Sequence, residues 1–339
     1  MSKPRLIIVS VLLLLTATLS ASSCATPILS KFEDTRSMMD TFVTITVYAA
    51  DEDKAGAAID SAFARIEEIE HVASIFDEQS QASQLNRDGY LEAPSGDLQQ
   101  LITQSLEYGL LTDGAFDITI QPLLELWEAG LWREPEAVQQ QRINETLALV
   151  GWNKISTQDD EILFTEAGMK ITLGGIAKGY AVDEALAVIK RMGIKYALVN
   201  AGGDMATLGS KPQGEPWLIA LLNPDDETQS LVNFNITSKA VATSGNYARY
   251  FDPEKQAHHI INPKTGYSAQ ECISATVIAD SATQADTLAT AIFVMGPEAG
   301  VELTESLSNV ECFIVDADRQ TIHVSSGLSM YLAESEPGE

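Results

Sequence analysis

Between residues 41 and 48 the chain alternates, with Val43, Ile45 and Val47 apolar and Thr44 and Thr46 polar between them. A period of two sends one face to a core and the other to water, which predicts a half-buried strand. Over 57–72 the period changes. Ile59, Phe63, Ile66, Ile69 and Val72 recur at three- and four-residue steps, the stripe of an amphipathic helix. A second helix is predicted over 99–111. Pro122, Gly130 and Pro135 then interrupt the pattern and predict a loop-rich middle. Farther on, Ile171-Thr172-Leu173 reads as a strand, Gly174-Gly175 as a turn and 177–192 as a helix. A strand over 196–200 runs into Ala201-Gly202-Gly203-Asp204. Strand patterns follow at 217–222, 230–237, 239–243 and 273–278, and a helix at 282–294. Helices and strands mix without strict alternation, which predicts an α+β fold around antiparallel sheet.

The first 23 residues read as a processing signal. Lys3 and Arg5 precede an apolar run from Leu6 to Leu19, and Ala21-Ser22-Ser23 lead to Cys24. The run is short for a spanning helix and has the order of an export signal. A cysteine directly after small residues resembles a bacterial lipoprotein signal, with Cys24 as the lipidated first residue and Ala21 where leucine is usual. A cleaved soluble protein and an uncleaved anchor are the other readings. Lipid at Cys24 would hold the protein on a membrane surface. Residues 24–36 then read as a tether, and 37–333 as a single large domain.

Acidic side chains number 48 against 21 basic, a formal net charge of −27. Such a surface repels a phosphate backbone and argues against nucleic-acid partners. An anionic ligand would need local help from a cation, backbone N–H groups or a helix N-terminus. Cys272 and Cys312 lie in strand-like stretches, where two buried thiols and a disulfide are both open. Without Cys-x-x-Cys or a His/Cys cluster, zinc is not expected.

Several segments have chemical potential alongside a plainer reading. Leu173-Gly174-Gly175-Ile176-Ala177-Lys178-Gly179-Tyr180 is either a structural turn or a helix start that meets an anion. Asp286 and Thr290 are four apart and share a helix face. As hard oxygen donors they suit Mg²⁺, or they are an exposed acid and a hydroxyl bonded back to its own helix. His258-His259, before Pro263-Lys264-Thr265-Gly266, is a solvent-facing pair or a proton-handling group. Ala115-Phe116-Asp117 joins a ring to a carboxylate. Ser244 lacks the Gly-x-Ser-x-Gly setting of a serine nucleophile.

In their order and content these blocks resemble the ApbE family, the FAD:protein FMN transferases. The resemblance spans 35–332 and is carried by GAFDITIQPL (114–123), LGGIAKGYAVD (173–183), NAGGD (200–204), VATSGNYARYF (241–251), HHIINPKTG (258–266) and ADTLATAIFVMG (285–296). It implies a T-shaped α+β fold with FAD in a cleft. It implies Mg²⁺ on Asp286, Thr290 and the backbone carbonyl of Ala177. Met39, Phe76, Ala115, Phe116, Asp117, Lys178, Tyr180, Asp183 and Ile260 match the FAD cradle, and His259 the family's catalytic histidine. The implied reaction moves FMN from FAD to a Thr or Ser hydroxyl and releases AMP. The implied acceptors are exported subunits of quinone reductase-type electron-transfer complexes, at the periplasmic side of the inner membrane. Hydrolysis of FAD to FMN and AMP, or flavin binding without turnover, would use the same residues. Two positions depart from the family: Asp40 stands where Gly is common, and Thr172 where Asp is common.

Overall fold

The computed structural model describes residues 28–333 apart from 159, 253, 255 and 256. The signal, Cys24 and residues 334–339 lie outside the described residues. The chain opens with strands β1 (Ser30–Met38) and β2 (Thr41–Ala49), then helices α1 (Glu52–Ala73) and α2 (Gln81–Asp88), strand β3 (Tyr90–Glu92) and helix α3 (Gly96–Leu111). Helices α4 (Gln121–Glu128) and α5 (Glu136–Leu147) precede strands β4 (Ile155–Ser156) and β5 (Glu161–Phe164). Helix α6 (Ala177–Arg191) leads into β6 (Tyr196–Ala201), β7 (Asp204–Leu208), β8 (Trp217–Asn223), β9 (Asp226–Ile236), β10 (Ala240–Gly245) and β11 (Cys272–Ala279). Helices α7 (Ala282–Met295) and α8 (Pro297–Ser306) and strands β12 (Glu311–Asp316) and β13 (Ile322–Val324) close the fold.

An eight-stranded sheet in the order β1-β2-β6-β7-β10-β11-β12-β13 organises the molecule, with every neighbouring pair antiparallel. Val43, Ile45 and Val47 of β2 face one layer of core, together with Phe63 and Ile66 of α1 and Ala181 and Ala185 of α6. The β8–β9 hairpin covers part of the other face, where Ile219, Phe234 and Ile236 meet Val241, Ile278 and Phe313. β11 is therefore buried along its whole length, on both faces.

Three expectations change. The tether reaches only to the start of β1, because Ser30–Met38 pairs in full register with β2. β1 lies at the sheet edge and is largely exposed, so its sequence lacks an apolar face. Residues 171–173 form no strand. The side-chain amide of Asn86 takes a strand partner's place there: its Oδ1 accepts from Ile171 N–H at 2.7 Å and its Nδ2 donates to Ile171 O at 2.8 Å. The middle holds helices α4 and α5, and its prolines start them. Pro122 sits in the first turn of α4 and Pro135 is the N-cap of α5, where a missing N–H costs nothing.

Cys272 and Cys312 are free and buried. Cys312 faces Val277 while Cys272 faces Asp316, four residues along β12. That is about 13 Å of strand, far beyond the reach of a disulfide.

Two hairpin turns meet at one end of the sheet. Met39 and Asp40 join β1 to β2 with φ of 52° and 57°, and Gly202 and Gly203 join β6 to β7 with φ of 62° and 103°. Two positive φ angles match the twist of a two-residue hairpin, and Asp tolerates this region better than most residues. Asp40 therefore occupies the conformation that the common glycine would. Gly202 admits no side chain, since a Cβ would lie 2.3 Å from Thr41 Oγ1.

Candidate functional site

The site forms where α6 and α7 start against the sheet. Gly179 lets the helices touch: a Cβ there would lie 2.3 Å from the Ala282 carbonyl oxygen. Gly175 leaves the neighbouring gap, since its Cβ would fall 3.1 Å from the Phe116 ring and 3.2 Å from Thr290 Oγ1. Asp286 is 3% exposed. Its Oδ2 accepts from Gly179 N–H at 3.1 Å, and its Oδ1 is 3.7 Å from Lys178 Nζ. The same ammonium lies 2.6 Å from Asp204 Oδ2. Thr290 Oγ1 and Ser244 Oγ are 3.1 Å apart. Ala177, the first residue of α6, is also buried.

These atoms do not balance electrically. Burial pushes the Asp286 carboxyl up to about 7, the Asp204 charge adds to the rise, and Lys178 and the Gly179 N–H only partly oppose it. Burial likewise works against the Lys178 ammonium, but the two carboxylates outweigh it and raise its pKa. Asp204, 3% exposed, has no hydrogen-bond donor aligned on Oδ2 despite the close ammonium. Two buried carboxylates, two hydroxyls and a nearby carbonyl form a hard oxygen set with room for one more positive charge, which suits Mg²⁺. A cage of three or more His, Cys, Asp or Glu side chains does not form among the described residues. At the helix start the structural-turn reading accounts for two of the N–H groups. Ala177 N–H donates to Leu173 O and Gly179 N–H to Asp286, so these donors already serve the protein.

The two histidines divide. His258 is 1% exposed, and its Nε2 donates to Ala269 O at 2.8 Å while Nδ1 accepts from Ile260 N–H at 3.3 Å. Burial holds its pKa down to about 4, so it is a neutral core group. Ile260 is buried beside it. His259 is half-buried, with Nδ1 at 3.2 Å from Arg249 O. A carbonyl oxygen only accepts, so Nδ1 carries the proton and Nε2 keeps its lone pair. Burial lowers the His259 pKa, and the Arg249 and Lys178 charges lower it further.

Lys178 and Tyr180 are two residues apart, about 200° around a helix, and they face opposite ways. Tyr180 turns from the oxygen cluster toward α3, where its hydroxyl donates to Asp97 Oδ1 at 2.8 Å. Asp97 also pairs with Arg65, which reaches Glu184 at 3.0 Å and Glu68 at 3.1 Å. Asp183 caps α7: its carboxylate accepts from Ala282 N–H, Thr283 N–H and Thr283 Oγ1–H, each at 2.8 Å or less. A cavity of about 470 Å³ opens on this side, lined by Gln104, Tyr108, Tyr180, Asp183 and Thr283.

The other expected cradle residues also have distinct surroundings. Ala115 and Phe116 are buried, and the Phe116 ring lies behind Gly175. Asp117 points away, accepting from Thr119 N–H at 2.8 Å and from Trp152 N–H at 2.8 Å. Phe76 is 71% exposed, an open ring face. Met39 sits in the left-handed turn, its N–H donating to Glu70 Oε1 at 2.8 Å. Sequence reasoning gave no site role to Asp204, although it lies in NAGGD. Its signal was the position directly after a Gly-Gly hairpin turn.

The ApbE family model matches residues 39–314. An FAD:protein FMN transferase of Haemophilus influenzae is 28% identical over 282 residues, covering 80% of this chain and 82% of that protein. One of Vibrio cholerae is 30% identical over 259 residues, covering 75% and 78%. Among solved structures, the ApbE protein of Thermotoga maritima superposes with a TM-score of 0.81 at 30% identity, covering 90% of this chain and 100% of that one. The flavin transferase ApbE of Vibrio cholerae gives 0.76 at 25% identity, with the same coverage.

Proposed function

The chain belongs to the ApbE family and is a transferase. From that premise we propose that it moves FMN from FAD to a Thr or Ser hydroxyl of an exported electron-transfer subunit, releasing AMP, with Mg²⁺ bound between α6 and α7. The observation that supports this most is the buried Asp204–Asp286 pair sharing one ammonium beside two hydroxyls. Such a cluster is suited to a cation and, through it, to a diphosphate.

Asp286, Thr290 and the Ala177 carbonyl would hold the Mg²⁺, which would neutralise charge on the diphosphate. The chain's own residues supply positioning and proton handling. Lys178 adds a positive charge beside the phosphate oxygens. His259, neutral and with Nε2 open, takes the proton of the acceptor hydroxyl as that oxygen attacks the FMN-side phosphorus. The bond from this phosphorus to the bridging oxygen breaks, and AMP leaves with that oxygen and its electron pair. Phe76 offers its exposed ring to the planar flavin. We place the enzyme on the periplasmic face of the inner membrane, tethered through lipid on Cys24.

Purified protein incubated with FAD, Mg²⁺ and a threonine-bearing acceptor domain gives an acceptor heavier by one FMN in mass spectrometry. Free FMN and AMP with an unmodified acceptor would instead identify a pyrophosphatase. Intact FAD would identify a flavin carrier.

A further inference from the structure

Asp204 and Asp286 differ in how they are held. Asp204 opens β7 directly after the Gly202-Gly203 turn, and that turn is fixed by one backbone and one side-chain acceptor: Gly202 N–H donates to Phe42 O at 3.2 Å and Gly203 N–H to Asn200 Oδ1 at 2.9 Å. Its carboxylate is thus set by the sheet. Lys178 has a long flexible stem with 29% of the side chain exposed, so the ammonium is the member that moves. It stands 2.6 Å from Asp204 and 3.7 Å from Asp286, and the longer separation is outside hydrogen-bond range. Asp286 keeps one oxygen on Gly179 N–H and leaves the other without a close donor.

We propose that Asp204 is a positioning residue that draws the Lys178 ammonium away from Asp286 and so keeps Asp286 Oδ1 open to a divalent cation. The inference rests on the cation site proposed above. Without Asp204, the ammonium has Asp286 as its one remaining carboxylate in this cluster. It closes on that group and competes with the cation.

A double-mutant cycle read by calorimetric Mg²⁺ titration of the flavin-free protein tests this. Asp204→Asn is expected to weaken Mg²⁺ binding about ten-fold or more in the native background, but less than about three-fold when Lys178→Met is already present. Loss of one negative charge without any repositioning gives the same factor in both backgrounds, and equal factors would overturn the proposal. Asp286→Ala separates the two claims. If it leaves Mg²⁺ binding intact, or if the unaltered protein binds no Mg²⁺, the cation site itself is wrong. If it abolishes binding while the cycle is additive, only the role of Asp204 is wrong. Circular dichroism confirms that each variant is folded, and Asp204→Ser replaces Asp204→Asn in the same cycle should the latter unfold.

Discussion

The two faces of α6 are built from the same side-chain types and end in opposite states. On the face toward α3, Arg65 joins Asp97, Glu184 and Glu68, Tyr180 donates to Asp97, and Asp183 caps α7. Each of these carboxylates has a donor of its own. On the face toward β7, Asp204 and Asp286 share Lys178, and a buried carboxylate oxygen lacks an aligned donor. Burial costs a charge heavily unless it is paired. The paired face therefore ties α6 to α1, α3 and α7, and the cluster toward β7 is the one whose excess charge the proposed cation would balance.

The largest test is Asp286→Ala. FAD turnover should fall on the order of 10³-fold or more, because the proposed Mg²⁺ would lose its carboxylate ligand. Asp286→Asn should leave turnover equally low yet stabilise the metal-free protein at neutral pH. The folded carboxyl titrates at about 7 against 3.8 ordinarily, so between those values the folded chain keeps a proton that the unfolded chain has lost. Its contribution to stability is full below pH 3.8, erodes as pH rises and is gone above about 7. Denaturant unfolding across pH 4–8 should show this slope in the native protein and not in the Asn variant.

Next in size is His259→Gln. It should lower kcat on the order of 10²–10⁴-fold with unchanged Mg²⁺ affinity, as expected of a proton acceptor outside the cation site. A loss of Mg²⁺ binding would make His259 part of that site instead. Arg65→Ala acts on the other face and should cost roughly 3 kcal/mol of stability, read by thermal unfolding, because Asp97 and Glu184 lose their partner. Turnover of the folded fraction should stay within a few-fold. A severe loss there would place FAD against the α3 face as well and erase the contrast. The smallest effect is expected from Asp183→Ala: about 1–2 kcal/mol of stability from the lost cap. A few-fold weaker Mg²⁺ binding should follow as the start of α7 loosens under Asp286.

The strand over 41–48 and the helices near 57–72, 99–111 and 177–192 were legible because each has one face in the core, which imposes a period. The helix over 282–294 is buried nearly all round and was legible from its mostly apolar and small residues. β1 was not, since an edge strand exposed along most of its length leaves no apolar imprint. Residues 171–173 misled because Ile171 and Leu173 alternate with a threonine as in a strand, while the partner of Ile171 is the side chain of Asn86 and that of Thr172 N–H is the Ile118 carbonyl, both invisible to any local pattern. In the site, the Asp286–Thr290 spacing was visible at once, since four residues define one helical face. His259 was set apart from His258 only through the family resemblance, since the different burial of the two rings depends on which way the folded backbone turns them.

Taken alone, the sequence determined the α+β class, the family, the shared face of Asp286 and Thr290, and the strong negative charge. These follow from local periodicity and from the order of short blocks. Only the tertiary structure decided that Asp204 lies 2.6 Å from Lys178, that Tyr180 and Asp183 turn to the scaffold, and that Cys272 and Cys312 stand too far apart to join. Each depends on which distant segments the sheet register and the Gly179 contact bring together. Burial then sets the charge state of those segments through neighbours that no window of sequence contains.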